Sequence, residues 1–292
     1  MTQVGLMVEG QEGLTWDRWL RLGDLAEELG LASLHRSDHL SGIEGDTGRR
    51  VLSLWPSLAL LASRTGTVRF GPLVSPMTWH HPALFAMQAA DVDELSGGRL
   101  DVGMGAGWFE AEHRLLGLPF PRYPERLQAL EHAAVLLRSS WLGRGPHLLM
   151  GGKGPRTLQV VARHADEWNC SYVGVEDFAA RSAALDQACA THGRPPHAVA
   201  RSVMVPFVIG CDEAAVQQRI DAQRRTFATL PPDLPGWRAA GFVGGRPEQV
   251  LAQLRAFESA GASRFMLQHN DLADEASLRL LAEAVVPELA AG

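Results

Sequence analysis

Eight short apolar segments, each followed by a stretch with helical spacing, constrain this chain more than any other feature. They run Val4–Val8, Leu31–Arg36, Val68–Val74, Arg99–Gly103, His147–Met150, Glu167–Cys170, Ser202–Ile209 and Arg264–Gln268. In the first intervening stretch Trp19, Leu22, Leu25, Ala26 and Leu29 share one helical face, with Thr15 placed to cap it and Gly30 to end it. Further on, Pro82 opens a helix that closes at Leu95, before Ser96-Gly97-Gly98. No run of hairpins interrupts the alternation. Strands separated by helices pair in parallel, because a parallel pair needs a crossover. Eight such units in 292 residues predict an α/β fold closed into a (β/α)8 TIM barrel, with a doubly wound open sheet as the alternative. No linker divides the chain, so residues 1–292 read as one domain. Pro231-Pro232 and Pro235-Gly236 read as an irregular loop.

The composition narrows the class of partner. A 46% hydrophobic chain can bury a large core, and a formal charge of −6 with a pI near 6.0 argues against nucleic acid. No apolar run reaches membrane-spanning length, and the start lacks a basic segment followed by an apolar one. Cys170, Cys189 and Cys211 are odd in number and widely spaced, which fits free thiols and gives no zinc pattern. These features predict a cytoplasmic protein acting on a small molecule, with neither membrane nor metal. Of 27 basic residues only Lys153 is a lysine.

In a barrel of this kind chemistry gathers where strands end. Those places hold Glu9, Asp38-His39, Ser75, Gly105 with Glu112, Gly151-Gly152-Lys153-Gly154, Trp168-Asn169 and His269. His39 titrates near neutrality and can carry a proton, and Asp38 can orient a ring or merely cap a helix. His35 and His39 have the spacing of a helical metal pair, but they sit on a strand end, where that geometry fails. The Gly151–Gly154 turn leads into a helix, so its amides can cradle an anion, and an ordinary strand-to-helix turn reads the same way. Gly103, Gly105 and Gly107 alternate, as expected where something approaches the backbone closely. Glu112 lies beyond them, facing the same space or solvent.

Three segments carry a family resemblance: GPLVSPMTWHHPALFAMQAADVDELSGGRLDVGMGAGWFEAEHRLLGLPFP, LLMGGKGPRTLQVVARHADEWN and GGRPEQVLAQLRAFESAGASRFML, with SDHL after the second strand. They resemble the bacterial luciferase-like flavin and deazaflavin oxidoreductases over nearly the whole chain. The resemblance implies a luciferase-like TIM barrel, usually a homodimer, with its cofactor in the C-terminal mouth. Asp38-His39 resembles the branch that uses the 8-hydroxy-5-deazaflavin coenzyme F-420. There the matching histidine serves proton transfer, the match to Glu112 is a proposed acid, and the match to Gly151–Gly154 binds the cofactor phosphate. The resemblance also implies a non-proline cis peptide near Pro72-Leu73, in a ring-supporting segment that continues through Val74 and Ser75. Gly105, Ala106, Gly107, Trp168 and Asn169 complete the expected cofactor-binding set.

Three departures stand out. Ile43 lies near the place of a tryptophan found in relatives that oxidise alcohols or sugars. His80 stands where relatives often carry arginine. Trp141 reaches Leu148 through a short connection where relatives carry a longer insertion. The expected activity is therefore hydride transfer from reduced F-420 to a C=C or C=N bond, with His39 or Glu112 as proton donor. The alternatives are an FMN-dependent monooxygenase and a cofactor-binding barrel without turnover.

Overall fold

The computed structural model describes residues 2–44, 48–141 and 145–291. Residues 142–144 of the short connection after Trp141 lie outside that set, as do 45–47 of the polar loop after the second strand. The strands are β1 (Gln3–Val8), β2 (Ser33–Arg36), β3 (Arg69–Pro72), β4 (Ser75–Pro76), β5 (Asp101–Gly105), β6 (His147–Gly151), β7 (Glu167–Ser171), β8 (Ala200–Ile209), β9 (Val243–Gly245) and β10 (Arg264–Gln268). Nine of them follow one path, β3-β2-β1-β10-β8-β7-β6-β5-β4, with every pairing parallel. β3 and β4 are two pieces of one stave. An isolated parallel bridge between Phe70 and Leu100 brings the ends of the path together, giving eight staves and a nearly closed (β/α)8 barrel.

The local chemistry explains these elements. Helix Trp16–Glu28 starts where Thr15 accepts a hydrogen bond from the Arg18 amide, and it buries Trp19, Leu22, Leu25 and Ala26. Helix Pro82–Ser96 begins on a proline, whose missing N–H costs nothing there, and ends at Gly97 in the left-handed region, φ 71°. Gly103 has another task. A Cβ there would come within 2.0 Å of the Pro72 carbonyl oxygen, so this glycine lets β5 close against β3 rather than making room for a ligand.

The segment after residue 230 is more ordered than its prolines predicted. Asp233 caps a short helix, Leu234–Ala239, by accepting from the Gly236 amide. β9 then pairs with the outer end of β8, with Phe207 opposite Val243.

The barrel interior has three levels. Met7, Leu73, Leu149, Met204 and Met266 form an apolar plug. At the N-terminal end, Arg264 binds Asp101 at 2.6 Å and Glu167 at 2.6 Å, Arg69 adds a 2.5 Å contact to Asp101, and His35 lies 3.1 Å from Asp101. Two carboxylates and two guanidiniums thus balance in a buried floor. The third level, above the plug, is a cavity at the C-terminal ends of the staves.

Candidate active site

The cavity encloses about 800 Å³, within the range of small-molecule and cofactor sites. His39, Leu73, Val74, Gly105, Ala106, Gly107, Glu112, Gly151, Gly152, Lys153, Gly154 and Asn169 all line it. Asp38, Pro72, Ser75 and Trp168 stand behind the wall. Side chains alternate across a strand, so neighbours in sequence face opposite ways. On β7, Asn169 and Ser171 reach the cavity while Trp168 turns outward and stacks on Phe178. At the end of β10, Gln268 and Asn270 line the cavity while His269 packs near Phe207, where burial pushes its pKa down to about 4.

The His39–Glu112 pair is the centre of the arrangement. Short helix Glu110–Leu115 brings in Glu112, which is buried. Its Oε1 lies 3.0 Å from His39 Nδ1 and accepts the Leu40 amide at 2.6 Å. Burial pushes the His39 pKa down, but the hydrogen bond and charge of Glu112 more than reverse this, and the net shift is upward. His39 Nε2 makes no hydrogen bond among the described residues. The ring meets Trp108 edge-on at 5.8 Å. Trp108 itself is 62% exposed, so it walls the mouth beside His39 rather than the Glu112 carboxyl.

Asp38 acts behind this pair. Its Oδ2 accepts from Ser75 at 2.6 Å and lies 2.7 Å from His80 Nε2. Burial opposes its charge, but His80, Ser75 and Arg36 together hold the carboxyl below its ordinary range. His80, noted in the sequence only as a departure, is therefore the partner of Asp38. The cis peptide falls between Leu73 and Val74, one bond later than expected.

The glycine turn forms the opposite wall. Gly152 has φ 134°, and a Cβ on it would meet Thr157 Cγ2 at 2.7 Å. Trp168 Nε1 donates to the Gly152 carbonyl at 2.8 Å and fixes the turn from behind. Helix Pro155–His164 starts from Gly154 with its N-terminus at this wall, and Tyr123 and Thr157 share a 2.7 Å hydrogen bond beside it. The backbone amides of the turn, a helix N-terminus and Lys153 suit an anion such as a cofactor phosphate. Sequence reasoning missed Gln11, Tyr172, Gln268, Asn270 and His113 as cavity residues. Position at or just after a strand end signalled Gln11, Tyr172, Gln268 and Asn270, and His113 had only its place next to Glu112.

Known proteins similar to this chain are oxidoreductases of two cofactor types. The chain is 27% identical over 237 residues to an F-420-dependent hydroxymycolic acid dehydrogenase of Mycobacterium tuberculosis, covering 73% of this chain and 65% of that protein. It is 31% identical over 292 residues to an FMNH2-dependent dimethylsulfone monooxygenase of Pseudomonas putida, covering 82% and 79%. Its fold superposes on an F-420-dependent secondary alcohol dehydrogenase with a TM-score of 0.83, at 17% identity and 99% coverage of both chains. Residues 1–264 match the family described as luciferase-like monooxygenase, and the chain belongs to that family.

Proposed function

We propose that this protein is an oxidoreductase that uses reduced coenzyme F-420 to pass a hydride to a C=C or C=N bond of a small molecule. The observation that carries the reading is His39, which lines the cavity and is held through Nδ1 by Glu112, leaving Nε2 without a hydrogen bond among the described residues. When bound, reduced deazaflavin would supply a hydride and little oxygen chemistry, leaving the proton to a nearby acid such as His39. Were a hydride delivered to one atom of the double bond, its π pair would shift to the adjoining atom, and His39 would be the residue to give that atom its proton. Glu112 holds the ring and favours the imidazolium before transfer. Gly151–Gly154 hold the anionic end of the cofactor, and Leu73, Val74, Gly105, Ala106, Gly107 and Asn169 bound the space for its ring. Asp38, Pro72, Ser75 and Trp168 fix these walls from behind.

The 31% identity to an FMNH2-dependent enzyme favours a second reading, an FMN-dependent monooxygenase. Fluorescence titration separates the two. The expected result is tight quenching by F-420, in the micromolar range or below, and much weaker binding of FMN. Tight FMN binding without F-420 binding overturns the proposal.

The cradle gives a second test. Gly152→Asp places a side chain against Thr157 and a negative charge where an anion sits, and it is expected to weaken cofactor binding more than about tenfold. Lys153→Ala costs less, because backbone amides carry most of the contact. Unchanged affinity in a Gly152→Asp protein with native circular dichroism rejects the assignment.

We also propose a homodimer. Helices Leu54–Arg64 and Pro82–Ser96 leave Leu60, Leu84, Met87 and Leu95 exposed, with Leu84 and Met87 at 59% and 63%. Light scattering is expected to give twice the chain mass of 31.7 kDa, and a single-chain mass at high concentration refutes it.

A further inference from the structure

We infer that Glu9 forms a subsite for a positively charged nitrogen, so that the substrate taken by this cavity is an apolar amine- or imine-type molecule. The inference deepens the proposed function, since it rests on the cavity being the reaction site.

Glu9 follows β1 and lines the cavity. Its Oε1 accepts Gln268 Nε2 at 2.5 Å, and its Oε2 accepts Gln11 Nε2 at 2.8 Å. Both donors are neutral amides, and a carboxylate has about four acceptor positions. Among the described residues Glu9 has no ion-pair partner. Glu12 and Glu112, on the same cavity, are paired with Arg49 and His39. Glu44 accepts the Thr229 hydroxyl at the rim. Arg36, buried beneath, spends its donors on Ser37 O, Ser57 Oγ and Leu52 O, and none reaches Glu9.

A second observation lies on the neighbouring stave. β10 pairs with β1, and beyond its end Asn270 lines the same cavity. Asn270 is only 7% exposed. Its Nδ2 donates to Gln223 Oε1 at 3.0 Å, and its Oδ1 has no partner among the described residues. A buried acceptor without a donor is destabilising, and a turn of the side chain that bares Oδ1 to a donor in the cavity would relieve it. Tyr172, which follows β7 and lines the same cavity, donates its hydroxyl to Gln268 Oε1 at 2.8 Å, on the side chain that also binds Glu9. Burial and then the charge of Glu9 push its pKa up, so the phenol stays neutral and its ring face can attract a cation.

A carboxylate, an orphan carbonyl and an aromatic face recognise a donor that carries positive charge. They repel a phosphate or carboxylate. The anion cradle lies on β6, four staves round the barrel from β1, so the cavity is polarised across its width. Phe227, Leu230 and Phe242 supply apolar wall for the rest of the molecule.

Calorimetric titration of the full chain with benzylammonium and benzyl alcohol tests this. Benzylammonium is expected to bind about tenfold or more tighter than benzyl alcohol. The preference should vanish in Glu9→Gln and persist in Glu9→Asp, whose charge is retained. Equal binding of the ammonium and the alcohol by the wild type overturns the inference, as does a preference that survives in Glu9→Gln. These probes need no cofactor, so failure here is distinct from failure of the F-420 titration.

Discussion

Substituting His39 by alanine or asparagine is expected to lower turnover about 10²–10⁴-fold while leaving cofactor affinity nearly intact. His39 follows β2 and the glycine turn follows β6, so on the proposed roles its loss removes the proton donor and not the anion contact. The sign of the pH dependence follows from its upward-shifted pKa. The imidazolium persists above the ordinary value of 6.5, and the donor is lost as pH rises through the shifted value. Glu112 is what opposes the effect of burial. Glu112→Gln should therefore move the alkaline limb to lower pH and reduce the rate less than the His39 variants do. Single-turnover oxidation of reduced cofactor with a confirmed substrate, run across pH for each variant, measures both effects. Near-wild-type rates without His39, with a collapse in Glu112→Gln, would reverse the roles. Full rates in both would mean that water or substrate supplies the proton.

The barrel was legible because its signal repeats: eight apolar segments and their helices left little other architecture. Strand ends were also legible, which is how His39, Glu112 and the Gly151–Gly154 turn were found together. The phase of each strand was harder. A two-residue period says that neighbours face opposite ways, but it does not say which neighbour faces inward. Trp168 and Asn169 were both expected at the site, and only Asn169 reaches the cavity. At the end of β10 histidine chemistry drew attention to His269, while its neighbours Gln268 and Asn270 hold the inward phase. Gly103 was ambiguous for a related reason. A missing side chain shows that something comes close, and only the fold shows that it is the Pro72 carbonyl. Long-range pairs such as Asp38 with His80, 42 residues apart, leave no local pattern at all.

Replacing Arg264 with methionine is expected to destabilise the fold by about 3–5 kcal/mol, the scale for breaking a buried ion pair from one side. Arg264 carries contacts to both Asp101 and Glu167, and all three side chains are almost fully buried. Without it, only Arg69 would face the two carboxylates from the guanidinium side, and that residue touches Asp101 alone. The intact floor also sets an acid limit. Burial raises the Asp101 pKa, but the charge of Arg264 and the contacts of His35 and Arg69 drive it far below its ordinary 3.8. Glu167 is likewise held below 4.5, against burial, by His147 and Arg264. A depressed carboxylate contributes stability above its unfolded pKa and loses it as pH falls towards the folded one. His35 is kept neutral chiefly by burial, with its pKa below 6.5, so its contribution is full above 6.5 and begins to fade as pH falls below it. Urea unfolding followed by circular dichroism should therefore show stability declining slowly below about pH 6.5 and steeply below about pH 4.5. In Arg264→Met the acid loss should be shallower, because the strongest influence depressing Asp101 is gone and its folded pKa lies nearer the unfolded one. A urea midpoint equal to wild type at pH 7 would show that the ionic floor does not hold the barrel closed.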